Sequence, residues 1–535
     1  MAPPREPKLP NRAMSDPNDT ASTDLLARIA DATELLESLI DDRGLLASVP
    51  REDRDRFLMA AGRVSRPDKK ERRRLAKAQR KHQELEQRAD DEAVLDSTGI
   101  RKLRESPIFQ TPRLTGEAPK LLGDGSATTD ATVNDEAAHD TRTTSEPVGR
   151  LHKARKCYVC QTQYRDVHHF YDHMCLECGD LNYEKRTQVA DLNGRVALVT
   201  GARVKIGYQA AILLLRSGCR VIVTTRFPRD AARRYAAEED FAEWRHRLHI
   251  HGIDLRHTPS VEALCTHLLS TLDRLDFIIN NACQTVRRPP GFYSHLMDGE
   301  RTPADELPAS ERALLGTDTA SADLAVLGGG AAASDVKAAD LTQFEFLPED
   351  RERGEHLFPS GALDADEQQI DLREVNSWRL KLADVSAVEL LEVQLVNAVA
   401  PFILNARLKP LMTKTPERDK HIVNVSAMEG QFYRIFKTDR HPHTNMAKAA
   451  LNMLTRTSAA DYVEDGIHMN SVDTGWVTDE DPVAHADKKR EVHRFHPPLD
   501  IVDGAARIVD PIFTGARTGE HVWGQFLKDY RIVDW

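Results

Sequence analysis

The sequence predicts an α/β domain built on a doubly wound parallel sheet, preceded by a small cysteine-rich zinc-binding module and a partly helical, partly disordered N-terminal region. Three observations carry this expectation. Between residues 194 and 535 short β-branched runs (RVALVTG, CRVIVTT, LDFIINNA, HIVNVSA, IHMNSVDTG, EHVWGQF) alternate with helical segments. Strands apolar on both faces and separated by helices require a parallel sheet covered on each side. Four of the seven cysteines crowd into residues 157–178, and upstream of them apolar periodicity gives way to charge and then to Thr, Asp, Pro, Gly and Ser.

At 535 residues the chain is too long for one core, so two or three folding units with tails are expected. A hydrophobic share of 40% against 29% charged residues, with a mean hydropathy of -0.50, describes globular parts diluted by polar ones. The formal charge of -11 argues against global coating of nucleic acid, though a local basic patch could still bind it. No run approaches the ~20 apolar residues that span a bilayer. The opening stretch MAPPREPKLPNRAMSDPNDT has no apolar core of a secretory signal. The expectation is a cytoplasmic protein with no membrane partner.

Residues 1–150 read as a polar region. Leu25, Ile29, Leu35, Leu36, Leu39 and Ile40 recur at helical spacing, which predicts one amphipathic helix over 22–47 in need of a partner face. A second helix, DKKERRRLAKAQRKHQELEQR at 68–88, is mostly charge. It is either a solvated helix or a basic patch for phosphates. From about 109 to 150 no hydrophobic period exists to be buried, and a disordered linker is expected.

Residues 151–190 hold the cysteine module. Cys157 and Cys160 are spaced CxxC, as are Cys175 and Cys178, with fourteen residues between the pairs. Each turn aims two thiolates at one ion, and two turns complete the tetrahedral shell of a structural zinc site. His168, His169 and His173 could substitute as ligands, but four thiolates already close the shell. A closed shell implies a structural ion.

Residues 191–535 form the sheet domain, interrupted at about 299–370 by a stretch containing GGGAAAS that is expected to be a flexible loop insertion. At its start GRVALVTGARVKIGYQAAILLLRSG is an apolar strand, a glycine turn and a striped helix closed by Gly218. Such a turn makes an anion site from unpaired amides and the helix dipole. These residues resemble the short-chain dehydrogenase/reductase family, whose fold is Rossmann-like. Its TGxxxGxG signature is matched through Thr200, Gly201 and Gly207, with Lys205 in place of the middle glycine. Asp254 in GIDL resembles the aspartate that meets the adenine, and NNAC at 280–283 resembles the family's NNAG. VNAVAPF supplies Asn397, HIVNVSAMEG the serine strand, and NSVDTGWVT resembles the segment after the sixth strand, with Pro-Gly become Thr474 and Gly475.

The resemblance implies a dinucleotide held by Thr200, Gly201, Arg203, Lys205, Ile206 and Gly207 at the first turn. Asp254, Asn281 and Ala282 follow, then Lys448, Gly475 and Val477. At the end of the second strand, where an acid would accept from a ribose 2′-hydroxyl, stand Thr224, Thr225 and Arg226. A guanidinium with no carboxylate beside it favours a 2′-phosphate, hence NADP over NAD; taken alone, Arg226 also suits a solvent-facing strand end.

In the resembling family a tyrosine gives the proton, a lysine four residues later lowers its pKa, a serine orients the carbonyl and an asparagine anchors a relay water. By position the asparagine is Asn397, the lysine Lys448 and the tyrosine Thr444. The family usually uses the second of two adjacent serines, here Ala427, which leaves Ser426 one place early. Losing positioned acid catalysis costs roughly 100- to 10,000-fold in rate. His441, seven residues before Lys448 as in the family's enoyl-reductase branch, is a replacement acid, with His443 and Tyr433 as others; each is otherwise a loop residue without a proton role. Arg287 and Arg288, after NNAC, either attract an anionic group at the substrate entrance or anchor a surface loop.

Met446, Ala449, Ala450, Met453 and Leu454 share a helix face that is core or subunit contact, and the family's habit implies a homo-oligomer. The expectation is an NADP-dependent oxidoreductase acting on a carbonyl or activated double bond of a small-molecule substrate, with a replacement proton donor. The alternatives are a catalytically inactive nucleotide sensor or scaffold that uses its zinc module for partners, and a nucleic-acid binder.

Overall fold

A computed structural model describes residues 17–112, 145–315, 337–433, 437–483, 485 and 496–535. Residues 113–144 of the expected linker and the GGGAAAS stretch lie outside these. The chain divides into two compact units, Met1–Arg88 and Ala89–Trp535.

The first unit is helical: Pro17–Asp41, Arg51–Ser65 and the start of Lys69–Asp96. Asp68 and Glu71 exchange side-chain to backbone hydrogen bonds at 2.7 and 3.1 Å, a reciprocal cap that starts the last of these. Leu25, Ile29, Leu35, Leu36 and Ile40 form the expected stripe and are exposed.

The second unit begins inside that long helix, because its last turns are held by the cysteine module. Leu95 and Ile100 share one apolar cluster with Leu151, Val167, Phe170, Tyr171 and Met174, and Arg101 donates to the buried Asp172 at 2.6 Å. The boundary therefore falls earlier than position 150, where composition places it. The module is an antiparallel hairpin, β1 (Gly149–Lys156) and β2 (Gln163–Val167), followed by the helix Leu176–Arg186.

The main sheet has the order β10-β9-β8-β7-β6-β3-β4-β5. Its strands are β3 (Val196–Thr200), β4 (Arg220–Thr225), β5 (Leu248–Gly252), β6 (Phe277–Asn280), β7 (Lys420–Ser426), β8 (Ile467–Asp473), β9 (Phe526–Lys528) and β10 (Arg531–Val533). All pair in parallel except the β9–β10 hairpin. The residues of β3 alternate between two apolar clusters, Ala197 and Val199 in one and Val196 and Leu198 in the other, so each face packs on its own helices. The order reverses between β3 and β6, which opens a crevice at their carboxyl ends. β5 escapes the periodicity reading because LHIHG alternates apolar residues with histidine, and EHVWGQF forms its strand later than expected, at Phe526–Lys528.

Where a flexible insertion is predicted over 299–370, residues 337–370 are folded against the domain. Asp350 is buried in a bidentate pair with Arg287 at 2.6 and 2.8 Å, and Phe358 packs with Phe292 and Tyr293. The low apolar content hid a segment held by ion pairs. The helix Ala387–Met412 is long and apolar enough by composition to cross a membrane, although Glu389, Glu392, Gln394 and Asn397 interrupt its apolar run. Here Leu404, Leu408, Leu411 and Met412 pack on Val261, Leu264 and Leu268.

Candidate functional site

A cavity of about 720 Å³ lies over the carboxyl ends of the strands. Its floor is the glycine turn after β3. Gly201 has φ +66°, and a Cβ there would sit 2.8 Å from the Cα of Ala282; one at Gly207 would sit 2.6 Å from the Gly201 carbonyl and collide with the Asn281 amide. Asn281 Nδ2 donates to the Thr200 and Gly201 carbonyls at 3.1 Å, and the Ala282 amide donates to Thr200 Oγ1 at 3.0 Å. These bonds clamp the loops after β3 and β6 together. Lys205 has φ +58°, the left-handed region that favours glycine, and so carries strain of about 1 kcal/mol. Burial works to lower the Lys205 pKa, but the fields of Glu480, Asp366 and Asp364 override it and raise it.

Around this floor the charged groups differ in what they face. Arg203 is committed to Asp230 at 2.6 Å and Gln368 at 2.9 Å. Asp254 is engaged by the Arg256 guanidinium at 2.6 Å, which holds its carboxyl below the usual range against burial. Arg226 lines the cavity, lies 4.7 Å from the Tyr293 ring and donates to its hydroxyl at 2.8 Å. Among the described residues no carboxylate forms an ion pair with it. Arg288, also in the lining, pairs with Asp371, whereas Arg287 is buried between Asp350 and Glu392.

The opposite end holds Lys448 and Ser426. Lys448 Nζ donates to the Val425 carbonyl at 2.8 Å. Ser426 lines the cavity, and its buried Oγ has no hydrogen-bond partner among the described residues. Asn397 sits in the π-helical turn Leu395–Val399, a geometry common at functional positions. Its amide exchanges two 3.0 Å bonds with the Gln284 backbone, holding the loop after β6.

Thr444 and His441 are buried but are not among the lining residues. His441 has φ +40° and stacks on Trp378, which does line the cavity, at 4.0 Å; burial lowers its pKa. His443 lies 3.3 Å from Glu389, and Tyr433 is exposed.

Among the lining groups that no sequence motif singles out are Tyr158, Asp473 and Lys528. Asp473 is buried, and burial raises its carboxyl pKa although Lys528 and the Gly475 amide oppose this. Tyr158 comes from between two of the cysteines. Its hydroxyl accepts from the Trp476 amide at 2.9 Å, and its ring lies 5.6 Å from Lys528 Nζ. The sulfurs of Cys157, Cys160, Cys175 and Cys178 lie within 4.8 Å of one another, and the module is held to the sheet domain by Tyr171 on Asp503 at 2.5 Å and by Arg186 on Asp500 and Asp503.

A family profile described as short chain dehydrogenase matches residues 195–296, and one described as Enoyl-(Acyl carrier protein) reductase matches residues 375–500. The chain belongs to the short-chain dehydrogenase/reductase family. This family is one of oxidoreductases. An uncharacterized protein of Acanthamoeba polyphaga mimivirus is 31% identical over 386 residues, 70% of this chain and 74% of that protein. Dehydrogenase/reductase SDR family member 13 of Bos taurus is 35% identical over 105 residues, 19% of this chain, and the chain spans only 28% of that relative. A solved structure, NADPH bound carbonyl reductase from chicken fatty liver, shares 16% identity with a TM-score of 0.39, covering 66% of this chain and 98% of the other.

Proposed function

We propose that this short-chain dehydrogenase/reductase is NADP-dependent and reduces or oxidises a carbonyl or activated double bond of a small molecule without a tyrosine acid. The carrying observation is that one cavity brings Ser426 and Lys448 together with the glycine turn. The cavity suits the coenzyme: Gly201 and Gly207 leave backbone bare, and Arg226, which feels the field of Asp254 but forms no ion pair with a carboxylate among the described residues, offers a guanidinium for a 2′-phosphate. Thr200 and Asn281 hold the turn, while Arg203, Lys205, Ile206, Asp254, Ala282, Gly475 and Val477 shape its walls. NADPH, when bound, supplies the hydride. Ser426 orients the substrate oxygen, Lys448 holds the ribose, and the proton comes from Asp473 or from water beside Lys448.

Thr444 stands where the family places its tyrosine, and its absence from the lining favours a second reading, a nucleotide-binding sensor without turnover. Mixing purified protein with NADPH and a panel of carbonyl and enoyl compounds separates the two. Turnover that Lys448→Ala abolishes supports the enzyme; NADPH binding with no turnover across the panel supports the sensor.

The four cysteines would hold a structural zinc ion, a closed thiolate shell that suits a cytoplasmic setting. Met446, Ala450 and Met453 face outward together, and Leu391 and Phe402 of the Ala387–Met412 helix are exposed as well. This apolar surface fits a homo-oligomer.

A further inference from the structure

The amino ends of β7 and β8, the edge away from the cavity, bring three imidazoles together. His421 and His468 are register partners on adjacent strands, so their side chains leave the sheet on one face. His521 joins them from the segment after the helix Ile501–Thr518. One ring nitrogen of each lies within 4.8 Å of the others. His421 Nε2 is 3.1 Å from His521 Nδ1, and the His421 ring centroid is 5.3 Å from that of His468 and 5.2 Å from that of His521. Nitrogen ligands about 2.0–2.1 Å from a tetrahedral zinc ion stand roughly 3.4 Å apart, a spacing that the His421–His521 pair at 3.1 Å already approaches.

The surroundings are shaped for such a shell. His468 Nδ1 lies 3.2 Å from the Lys420 carbonyl, which can only accept. The proton therefore sits on Nδ1, and Nε2 keeps its lone pair, the backbone-oriented tautomer usual in metal-ligating histidines. Gly515 leaves the helix bare at this point: a Cβ there would sit 3.0 Å from His421 Nε2 and collide with His521 Nδ1. Asn470 Nδ2 donates to the Val522 carbonyl at 2.6 Å and the Gly524 amide to the Met469 carbonyl at 2.8 Å, which fixes the segment that presents His521. Burial holds all three rings below their ordinary pKa range. The field of Asp419 opposes this at His468 and His521. Burial prevails, and among the described residues no carboxylate forms an ion pair with them, so they stand unprotonated at neutral pH, the form that binds metal.

We propose that His421, His468 and His521 form a second metal site, a three-nitrogen shell for a divalent cation of the zinc class, distinct from the cysteine quartet and from the coenzyme cavity. His468 and His521 stack at 4.5 Å and 20°, so closing the shell requires a turn of His521, the partly exposed ring of the three. The ion would pin β7 and β8 to the C-terminal segment that supplies β9, and its fourth position would open on the His521 side.

The full-length protein, reduced and stripped with a chelator, is dialysed against micromolar zinc and its retained metal counted. Wild type is expected to hold one ion more than His521→Gln, and His468→Gln to show the same loss. The difference persists in a Cys157→Ser/Cys175→Ser background, where the quartet cannot close, so the result does not depend on that site or on coenzyme binding. Equal zinc in wild type and both histidine variants, in either background, overturns the proposal.

Discussion

Ser426 and Asp473 face each other in register at the carboxyl ends of β7 and β8, and both line the cavity. A hydroxyl without a partner among the described residues thus stands beside a carboxyl that burial keeps easier to protonate than usual. Asp473→Asn removes the proton and keeps the shape. If Asp473 serves as the acid, turnover falls about 100-fold or more and the alkaline limb of its pH profile disappears, while NADPH affinity changes little. An unchanged pH profile assigns the proton to water.

Thr444 is expected to matter little to the chemistry. Its hydroxyl is buried without a partner among the described residues and is not part of the lining, so Thr444→Val should leave turnover within about twofold and shift stability by no more than about 1 kcal/mol. A loss of turnover as large as that of Lys448→Ala would place Thr444 in the machinery.

Lys205→Gly sets two effects against each other. Removing the left-handed side chain relieves about 1 kcal/mol, whereas Glu480, Asp366 and Asp364 lose the ammonium they face. Leaving partly buried carboxylates without this partner costs about 1–3 kcal/mol. Net destabilisation is expected in thermal unfolding, and adding Glu480→Gln should recover most of it. Stabilisation by Lys205→Gly alone would mean that backbone strain dominates.

Glu300 supplies a pH signature of the fold. Burial pushes its carboxyl up from 4.5 to about 7, although it accepts from the Arg229 and Asp230 amides. A raised folded pKa contributes stability below the unfolded value that is lost as pH rises through the folded one. Wild type should therefore lose stability between about pH 4.5 and 7 relative to Glu300→Gln, read as the difference in denaturant midpoints. Parallel curves for the two proteins would contradict the assignment.

Tyr158 ties the cysteine module to the cavity. Chelation, or Cys157→Ser, is expected to lower the unfolding temperature and weaken NADPH binding together, because Tyr158 and its bond to the Trp476 amide form one wall. Tyr158→Phe should cost about 1 kcal/mol, the worth of one hydrogen bond. Unaltered NADPH affinity after chelation would detach the module from the site.

Much of the sheet was legible because β-branched runs buried on both faces leave a strong signal, and the glycine turn because Gly201 and Gly207 have no room for a Cβ. The conformation of Lys205 was not, since a positive φ at a non-glycine residue is invisible to pattern. Nor was the folded part of the insertion, where Arg287, Asp350 and Asp371 replace an apolar period with ion pairs. Tyr158 lay hidden because its role depends on how two distant segments pack. Asp473 was closer to hand, one residue before the Thr474-Gly475 turn, but carries no motif of its own.

The account rests on Arg226 receiving a 2′-phosphate in the cavity, and calorimetric titration with NADPH and NADH, on wild type and Arg226→Ala, tests it most directly. The expected result is NADPH bound at least tenfold more tightly than NADH by wild type, with the preference lost in Arg226→Ala. Absence of heat and of any thermal shift with NADPH, or a preference unaffected by Arg226→Ala, would contradict it.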